Sequence, residues 1–361
     1  MLVASPLGVK RAVLLPALAI LLARTAYADP QRPGIIATLG PSTHEVATVR
    51  AMIRAGMDVA RINLSHGNAR QTAAKVQTLR AAARAEGREI PLEFDLPGGK
   101  VRTGPGTAQL RVGDLFELHL GVRGVTTSRG TSVTYRDLAR HAAPHDRVVL
   151  DDRLLELEVE RVEPGRIITR VVRGGTLQPR KGLAVVGREL SFPPLISRDR
   201  RKLDVALANG ASWIGASMVQ SAKNLQALRR ALEGRGTPQL VAKIESMSAL
   251  ANLDEILAAS DSVMIARGDL TQAVSAGAMP GVQSHIAAVA RAKGKPFIMA
   301  TNFLSAMISG APPSADNLAD IARALAEGPS HFMLNETAIA PAPAEVVRRM
   351  AEALGRERAV R

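Results

Sequence analysis

The sequence predicts an α/β fold: a (β/α)8 TIM barrel with a small all-β domain inserted after the third strand. Three observations predict it. From residue 34 onward short apolar runs alternate with amphipathic stretches, three runs before residue 104 and five after residue 190. The runs lack a polar face, as parallel strands buried on both sides do. Between them, residues 104–190 contain period-two alternation, the pattern of an antiparallel sheet with one wet face.

The first run, "GIIATLGP", reads as a strand closed by Gly40-Pro41. Ser42 and Glu45 then have the spacing of a capping box, opening a helix with Val46, Val49, Met52 and Ile53 on one face. "DVARINL" is the second strand, and a long Ala-rich helix follows to about Gly87. "IPLEFDLPGG" is the third. In the insert, "LLELEVERVEPGRIITRVV" sets Leu155, Leu157 and Val159 against Glu156, Glu158 and Glu160, with a turn at Pro164-Gly165. The barrel resumes with "SWIGASMV" and a helix opened by Ser221 with Leu225, Leu228 and Leu232 on one stripe. "QLVAKIES" precedes a helix carrying Leu250, Leu253, Ile256 and Leu257. "SVMIARGD", "KPFIMATN" and "SHFMLNET" complete the set of eight. The expected domains are thus a barrel of residues 34–103 and 191–358 and a lid of residues 104–190.

Residues 1–28 stand apart. Lys10 and Arg11 precede "AVLLPALAILLA", and Ala26-Tyr27-Ala28 makes a small-x-small site, the order of parts in a secretory signal. The apolar run is too short to span a bilayer, so no stable membrane span is expected. A mis-chosen start codon or an N-terminal helix is the competing reading.

The formal net charge is +14, but only 2% of residues are aromatic and the Arg residues are spread along the chain. A nucleic-acid surface interleaves its cations with stacking rings, so nucleic acid is not the expected partner; an anionic metabolite is. Cysteine is absent, which excludes disulfides, thiolate metal sites and a Cys nucleophile.

Barrel enzymes work at the C-terminal ends of their strands. Here those ends carry Arg61, Asn63, Ser65 and His66, then Asp95, then Lys243 and Glu245, then Arg267 and Asp269, then Thr301 and Asn302, then Glu336 and Thr337. Lys243 and Glu245 lie two apart and share a strand face. Glu245 and Asp269 offer two carboxylates to a hard cation; magnesium takes one or two and completes its shell with substrate oxygens and water. Arg61 and Lys243 suit an anionic, phosphorylated substrate. Phosphoryl transfer or enolate stabilisation is the chemistry these parts serve.

The chain resembles pyruvate kinases through "IIATLGPST", "GMDVARINLSHGN", "FDLPGGKVRTG", "LDDRLLEL", "QPRKGLAVVGREL", "VAKIES", "MIARGDL", "KPFIMATNFLSAM" and "LNETA", in family order from residue 34 to about 350. The resemblance implies phosphoryl transfer from phosphoenolpyruvate to ADP, giving pyruvate and ATP. It implies that Arg61 contacts the transferred group, that Lys243 neutralises it and steadies the enolate, and that Thr301 sits where the enolate is protonated. Glu245 and Asp269 would hold Mg2+ or Mn2+, and Gly268 the substrate carboxylate. His66, Arg102 and Lys181 would face the nucleotide. Asn63, Ser65 and Asp95 match a monovalent-cation pocket; Leu96 and Lys100 resemble the potassium-independent branch, in which the Lys100 ammonium replaces K+.

Departures from the family pattern are Ala315-Asp316-Asn317, Thr271 and the Gln272-Ala273-Val274-Ser275 run, Gln283-Ser284, and Asn335. No segment resembling the family's C-terminal regulatory domain follows the eighth helix, so the expectation is an enzyme without allosteric regulation, with any tetramer weakened and a homodimer open to it. Cytoplasmic residence fits the implied substrates, and export fits residues 1–28. Two other functions compete: a non-catalytic binder of phosphoenolpyruvate or nucleotide, and a metal-dependent lyase of the pyruvate type.

Overall fold

The structure is a computed structural model that describes residues 32–355 except 152, 275 and 276. The signal-like segment 1–28 and the last residues of the expected barrel span lie outside the described residues.

In chain order the structure begins with β1 (Gly34–Thr38), α1 (Val46–Ala55), β2 (Val59–Asn63), α2 (Ala69–Ala85) and β3 (Leu92–Leu96). The insert follows: β4 (Ala108–Leu110), β5 (Leu115–Leu120), β6 (Gly130–Val133), β7 (Arg147–Leu150), β8 (Leu155–Glu163), β9 (Arg166–Arg173), β10 (Gly175–Leu177) and β11 (Leu183–Val185). The chain then returns through α3 (Ser197–Ala208), β12 (Trp213–Ala216), α4 (Ala222–Leu232), β13 (Gln239–Ile244), α5 (Met247–Ala251), α6 (Leu253–Ala259) and β14 (Ser262–Ala266). It ends with α7 (Arg267–Ala273), α8 (Met279–Ala292), β15 (Phe297–Ala300), α9 (Ala315–Ala326), β16 (His331–Leu334) and α10 (Pro343–Ala353).

Eight strands close a parallel barrel in the order β1-β16-β15-β14-β13-β12-β3-β2. Alternation along each strand explains why the runs are apolar throughout. Ile35, Phe94, Ile214 and Phe297 point outward and pack with helix residues such as Val49, Leu225, Ile256 and Val347. Ile36, Val59, Trp213, Val241, Met264, Ile298 and Met333 fill the interior. On β3 that alternation turns Glu93 and Asp95 inward while Phe94 packs in the wall.

The insert forms a mixed six-stranded sheet, β11-β7-β8-β9-β5-β6, and a separate β4–β10 pair. Its two edges meet at one short segment: Arg102 bridges to Gly182 beside β11, and Thr103 bridges to Val133 at the end of β6. The insert has its own apolar core, with Phe116, Leu118, Leu157, Val159, Ile167 and Val171 buried.

Three local expectations are corrected. The turn after β1 is a 3-10 helix, Pro41–Thr43, in which Thr43 Oγ1 accepts from the Gly40 amide at 2.9 Å; α1 then starts at Val46 with no side-chain cap from Ser42 or Glu45. The single helix expected through Leu250–Leu257 breaks at Asn252 into α5 and α6. The strand read through "SVMIARGD" stops at Ala266, so Asp269 sits in the first turn of α7.

Candidate active site

At the C-terminal mouth of the barrel, four charged side chains from three strands and the following turn form one buried network. Arg61 ends β2 and directs Nη2 to Asp95 Oδ2 at 2.7 Å and Nη1 to Thr38 Oγ1 at 3.1 Å. Lys243 Nζ, from β13, lies 3.0 Å from the same Asp95 oxygen, 2.9 Å from Glu245 Oε1 and 3.0 Å from Ser217 Oγ. The Met218 amide donates to Glu245 Oε2 at 2.7 Å. All four groups are 7% exposed or less. Such burial is tolerable only because each charge faces an opposite one.

The pairing fixes the protonation states. Burial pushes the Asp95 carboxyl up, but Arg61 and Lys243 outweigh it and hold it well below the usual carboxylate range. Burial depresses Lys243, but Asp95 and Glu245 outweigh it and hold the amine firmly protonated. Lys243 is therefore a fixed cation and a poor proton donor. Glu245 is raised, by burial and by the Asp269 charge, against the pull of Lys243. Asp269 is lowered: burial opposes ionisation, and the Lys100 ammonium overcomes it.

Close packing defines the floor. A Cβ built on Gly215 would lie 2.1 Å from Asp95 Oδ1, so only glycine lets β12 pass beneath that carboxylate. The rim after β15 is strained, with Thr301 at φ +87° and Asn302 at φ +62°; a β-branched residue seldom adopts the left-handed region. Arg267 holds this turn by donating to the Thr301 carbonyl at 2.6 Å, while its guanidinium stacks over Phe303 and pairs with Asp320. Thr301 and Gly268 lie together, since a Cβ on Gly268 would come 3.0 Å from Thr301 Cγ2.

Other sequence-selected residues take different places. Asn63 Oδ1 accepts from the Ser65 amide at 2.9 Å, whereas Asp95 belongs to the Arg61–Lys243 network. Lys100 was expected beside Asn63, Ser65 and Asp95; its Nζ lies 2.5 Å from Asp269 Oδ1 instead, because the loop after β3 carries it across the barrel mouth. His66 is exposed and Arg102 donates to the Arg180 carbonyl; Lys181, in the insert, pairs with Asp151 at 2.8 Å. Glu336 and Thr337 are latches: Glu336 accepts from the Leu304 amide and Thr337 donates to the Thr38 carbonyl.

Sequence reasoning missed Ser217, Met218 and Glu93. Glu93 is fully buried inside the barrel, and neither carboxyl oxygen has a hydrogen-bond partner. Burial and the neighbouring Asp95 charge push its pKa up to about 8. The signal was present in "LEFDL", where two acids share one strand face.

The family model described as pyruvate kinase, barrel domain, matches residues 30–347. A pyruvate kinase of Aeropyrum pernix is 38% identical over 322 residues, covering 88% of this chain and 69% of that protein. One from Mycobacterium tuberculosis is 35% identical over 326 residues, covering 89% and 69%. The crystal structure of a pyruvate kinase from Cryptosporidium parvum superposes with a TM-score of 0.82 at 28% identity, covering 90% of this chain and 69% of that one. The chain belongs to the pyruvate kinase family.

For a pyruvate kinase fold the donor set at the mouth suits a divalent metal. Among the described residues no group of three or more His, Cys, Asp or Glu side chains could hold an ion by itself. Glu245 and Asp269 supply two carboxylates at the mouth; Glu245 Oε1 faces Lys243 Nζ at 2.9 Å and its Oε2 accepts from the Met218 amide. Two carboxylates with room for ligand oxygens fit Mg2+ or Mn2+. The Lys100 ammonium occupies one of the Asp269 oxygens and would have to yield it. No helix among the described residues is long and apolar enough to cross a membrane.

Proposed function

We propose that this chain transfers the phosphoryl group of phosphoenolpyruvate to ADP, forming ATP and the enolate that is protonated to pyruvate. The observation that carries this reading is the Lys243 ammonium, buried and held between Asp95 and Glu245 with Arg61 on the same carboxylate. A bound phosphoryl group would meet two cations already desolvated and aimed, so little reorganisation is needed as charge develops.

Arg61 and Lys243 neutralise the moving phosphoryl group, and Lys243 then faces the enolate oxygen. Its raised pKa suits a fixed charge, which leaves enolate protonation to the Thr301 side of the pocket. The amide of Gly268, in the first turn of α7, is available to the substrate carboxylate. Glu245 and Asp269 would hold the divalent metal, which supplies further positive charge to phosphate and enolate oxygens. His66, Arg102 and Lys181 bind the nucleotide between barrel and insert.

Lys100 supplies a resident cation at the mouth, and the Leu96 side chain offers no ligand atom, so potassium is not required. Asn63 and Ser65 then serve the loop rather than an ion. The whole set lies within barrel and insert, so turnover needs no effector. ADP and phosphoenolpyruvate are cytoplasmic metabolites, which favours that compartment.

The test is pyruvate production by the purified protein from phosphoenolpyruvate, ADP and Mg2+, with K+ or Na+ at one ionic strength. Turnover in both salts is expected. A several-fold stimulation by K+ would overturn potassium independence alone. Saturable phosphoenolpyruvate binding without turnover would make the chain a non-catalytic relative.

A further inference from the structure

A protonated lysine has three N–H donors and no acceptor. In Lys243 all three are engaged: with Asp95 Oδ2 at 3.0 Å, with Glu245 Oε1 at 2.9 Å and with Ser217 Oγ at 3.0 Å. The ammonium that is to meet a phosphoryl oxygen therefore has no donor to spare. One of its three contacts must be given up as the anion arrives.

The three contacts differ in what their loss would cost. Asp95 and Glu245 are buried carboxylates, and parting either from the ammonium leaves a desolvated charge short of its partner. Each is also committed elsewhere, Asp95 Oδ2 to Arg61 and Glu245 Oε2 to the Met218 amide. Ser217 is only partly buried and carries no charge, so its contact lacks the attraction between opposite ions that holds the other two. Rotation about one side-chain bond removes its hydroxyl from Lys243 without moving the backbone. Ser217 is the partner that yields.

The turn that carries this hydroxyl is held from both sides. Met218 follows it at φ +57°, a left-handed conformation that a methionine adopts only where its surroundings impose it. That conformation belongs to the turn in which the Met218 amide donates to Glu245 at 2.7 Å. On the other side the loop after β3 lies against Ser217, since a Cβ built on Gly98 would come 2.5 Å from the Ser217 carbonyl oxygen. The backbone of Ser217 is thus fixed beside β13, and its side chain is the part left free to turn.

We propose that Ser217 is a positioning residue whose hydroxyl holds the place on Lys243 that a substrate phosphoryl oxygen takes, and gives it up as the substrate binds. The inference rests on the reading of Lys243 as the cation that meets the phosphoryl group. Both carboxylates stay in contact throughout, so the ammonium keeps its position and the anion reaches it from the side of the β12–α4 turn. The hydroxyl bond exists only in the free protein, so it stabilises that state and opposes binding.

The experiment is calorimetric titration of the full-length protein with phosphoenolpyruvate and Mg2+, without ADP, for wild type, Ser217→Ala and Ser217→Thr. Ser217→Ala should bind at least about threefold more tightly, the scale of one net hydrogen bond partly replaced by water. Ser217→Thr keeps a hydroxyl and should return the affinity to the wild-type value. In assays with ADP, kcat/KM of Ser217→Ala should rise with the binding constant, whereas loss of a merely structural hydroxyl would lower both. Equal or weaker binding by Ser217→Ala overturns the inference, as does a Thr variant that behaves like Ala, or no binding by any of the three. Denaturation midpoints check folding; if Ser217→Ala is unfolded, Ser217→Cys decides, because a thiol is a weak acceptor and must also tighten binding. The two readings fail separately. Tighter binding by Ser217→Ala without pyruvate formation removes the transfer reaction alone, and pyruvate formation with equal affinities removes the role of Ser217 alone.

Discussion

Asp95 in the barrel and Glu163 on the insert are each held by two cations, yet the two arrangements do different things. Asp95 takes Arg61 at 2.7 Å and Lys243 at 3.0 Å and is about 1% exposed. Glu163 takes Arg161 at 2.5 Å and Arg166 at 2.7 Å, with 27% of its own side chain and 61% and 43% of its partners in water. In water the partners are already solvated, so the exposed trio contributes little. In the barrel each charge has lost its water and depends on the others. Contact distance alone therefore does not rank ion pairs; burial does.

The largest break in that contrast is Lys243→Ala. It should reduce pyruvate formation by at least about a hundredfold, the scale for losing one aimed electrostatic group. It should also cost about 3 kcal/mol of stability, because Glu245 and Asp95 lose a buried partner. Mg2+ binding should persist, since an ammonium is not a metal ligand. Steady-state assays, denaturation and Mg2+ titration read the three effects; wild-type turnover in the variant would end the assigned role.

Glu93→Gln tests a buried carboxyl that, among the described residues, has no hydrogen-bond partner for either oxygen. The unfolded chain releases this proton near the ordinary value of 4.5, while the native state keeps it to about 8. Between those values the native state holds more protons, so its stability falls as pH rises, by about 1.4 kcal/mol per unit of separation at most. The amide variant should lose that slope and be more stable than wild type at pH 8. Urea midpoints at pH 5, 6, 7 and 8 check it, and parallel profiles would contradict it.

Lys100→Met removes the ammonium from Asp269 and frees that carboxylate for metal. Mg2+ affinity should rise several-fold, about 1 kcal/mol for a pair that is partly open to water. Calorimetry of metal binding reads this directly, and weaker binding would mean that Lys100 orients Asp269 for the ion.

Glu163→Gln should be the smallest change. Both arginines turn to solvent, so the denaturation midpoint should match wild type within error. A clear loss would show that the insert relies on its surface ion pairs as the barrel relies on its buried ones.

Much of the fold was legible because its signals are local. The period-two alternation of Leu155, Leu157 and Val159 and the continuous apolar barrel runs depend only on strand geometry. Lys243 and Glu245 were legible as a pair for the same reason, being two apart on one strand. The capping box at Ser42 failed because Pro41 and Thr43 close a tighter turn, through a bond from the Gly40 amide. Arg267 was grouped with the site on its position, yet Phe303 and Asp320, distant in sequence, claim it.

The sequence by itself determined the barrel, the place of the insert and the kinds of side chain at each strand end, because these follow from periodicity within a few residues. Only the tertiary structure decided which charges meet. Arg61 finds Asp95 across 34 residues and Lys100 finds Asp269 across 169. It also decided that Glu93, buried inside the barrel, finds no hydrogen-bond partner for either carboxyl oxygen. Electrostatic partnership acts through space and depends on the water excluded between groups, and neither quantity is written along the chain.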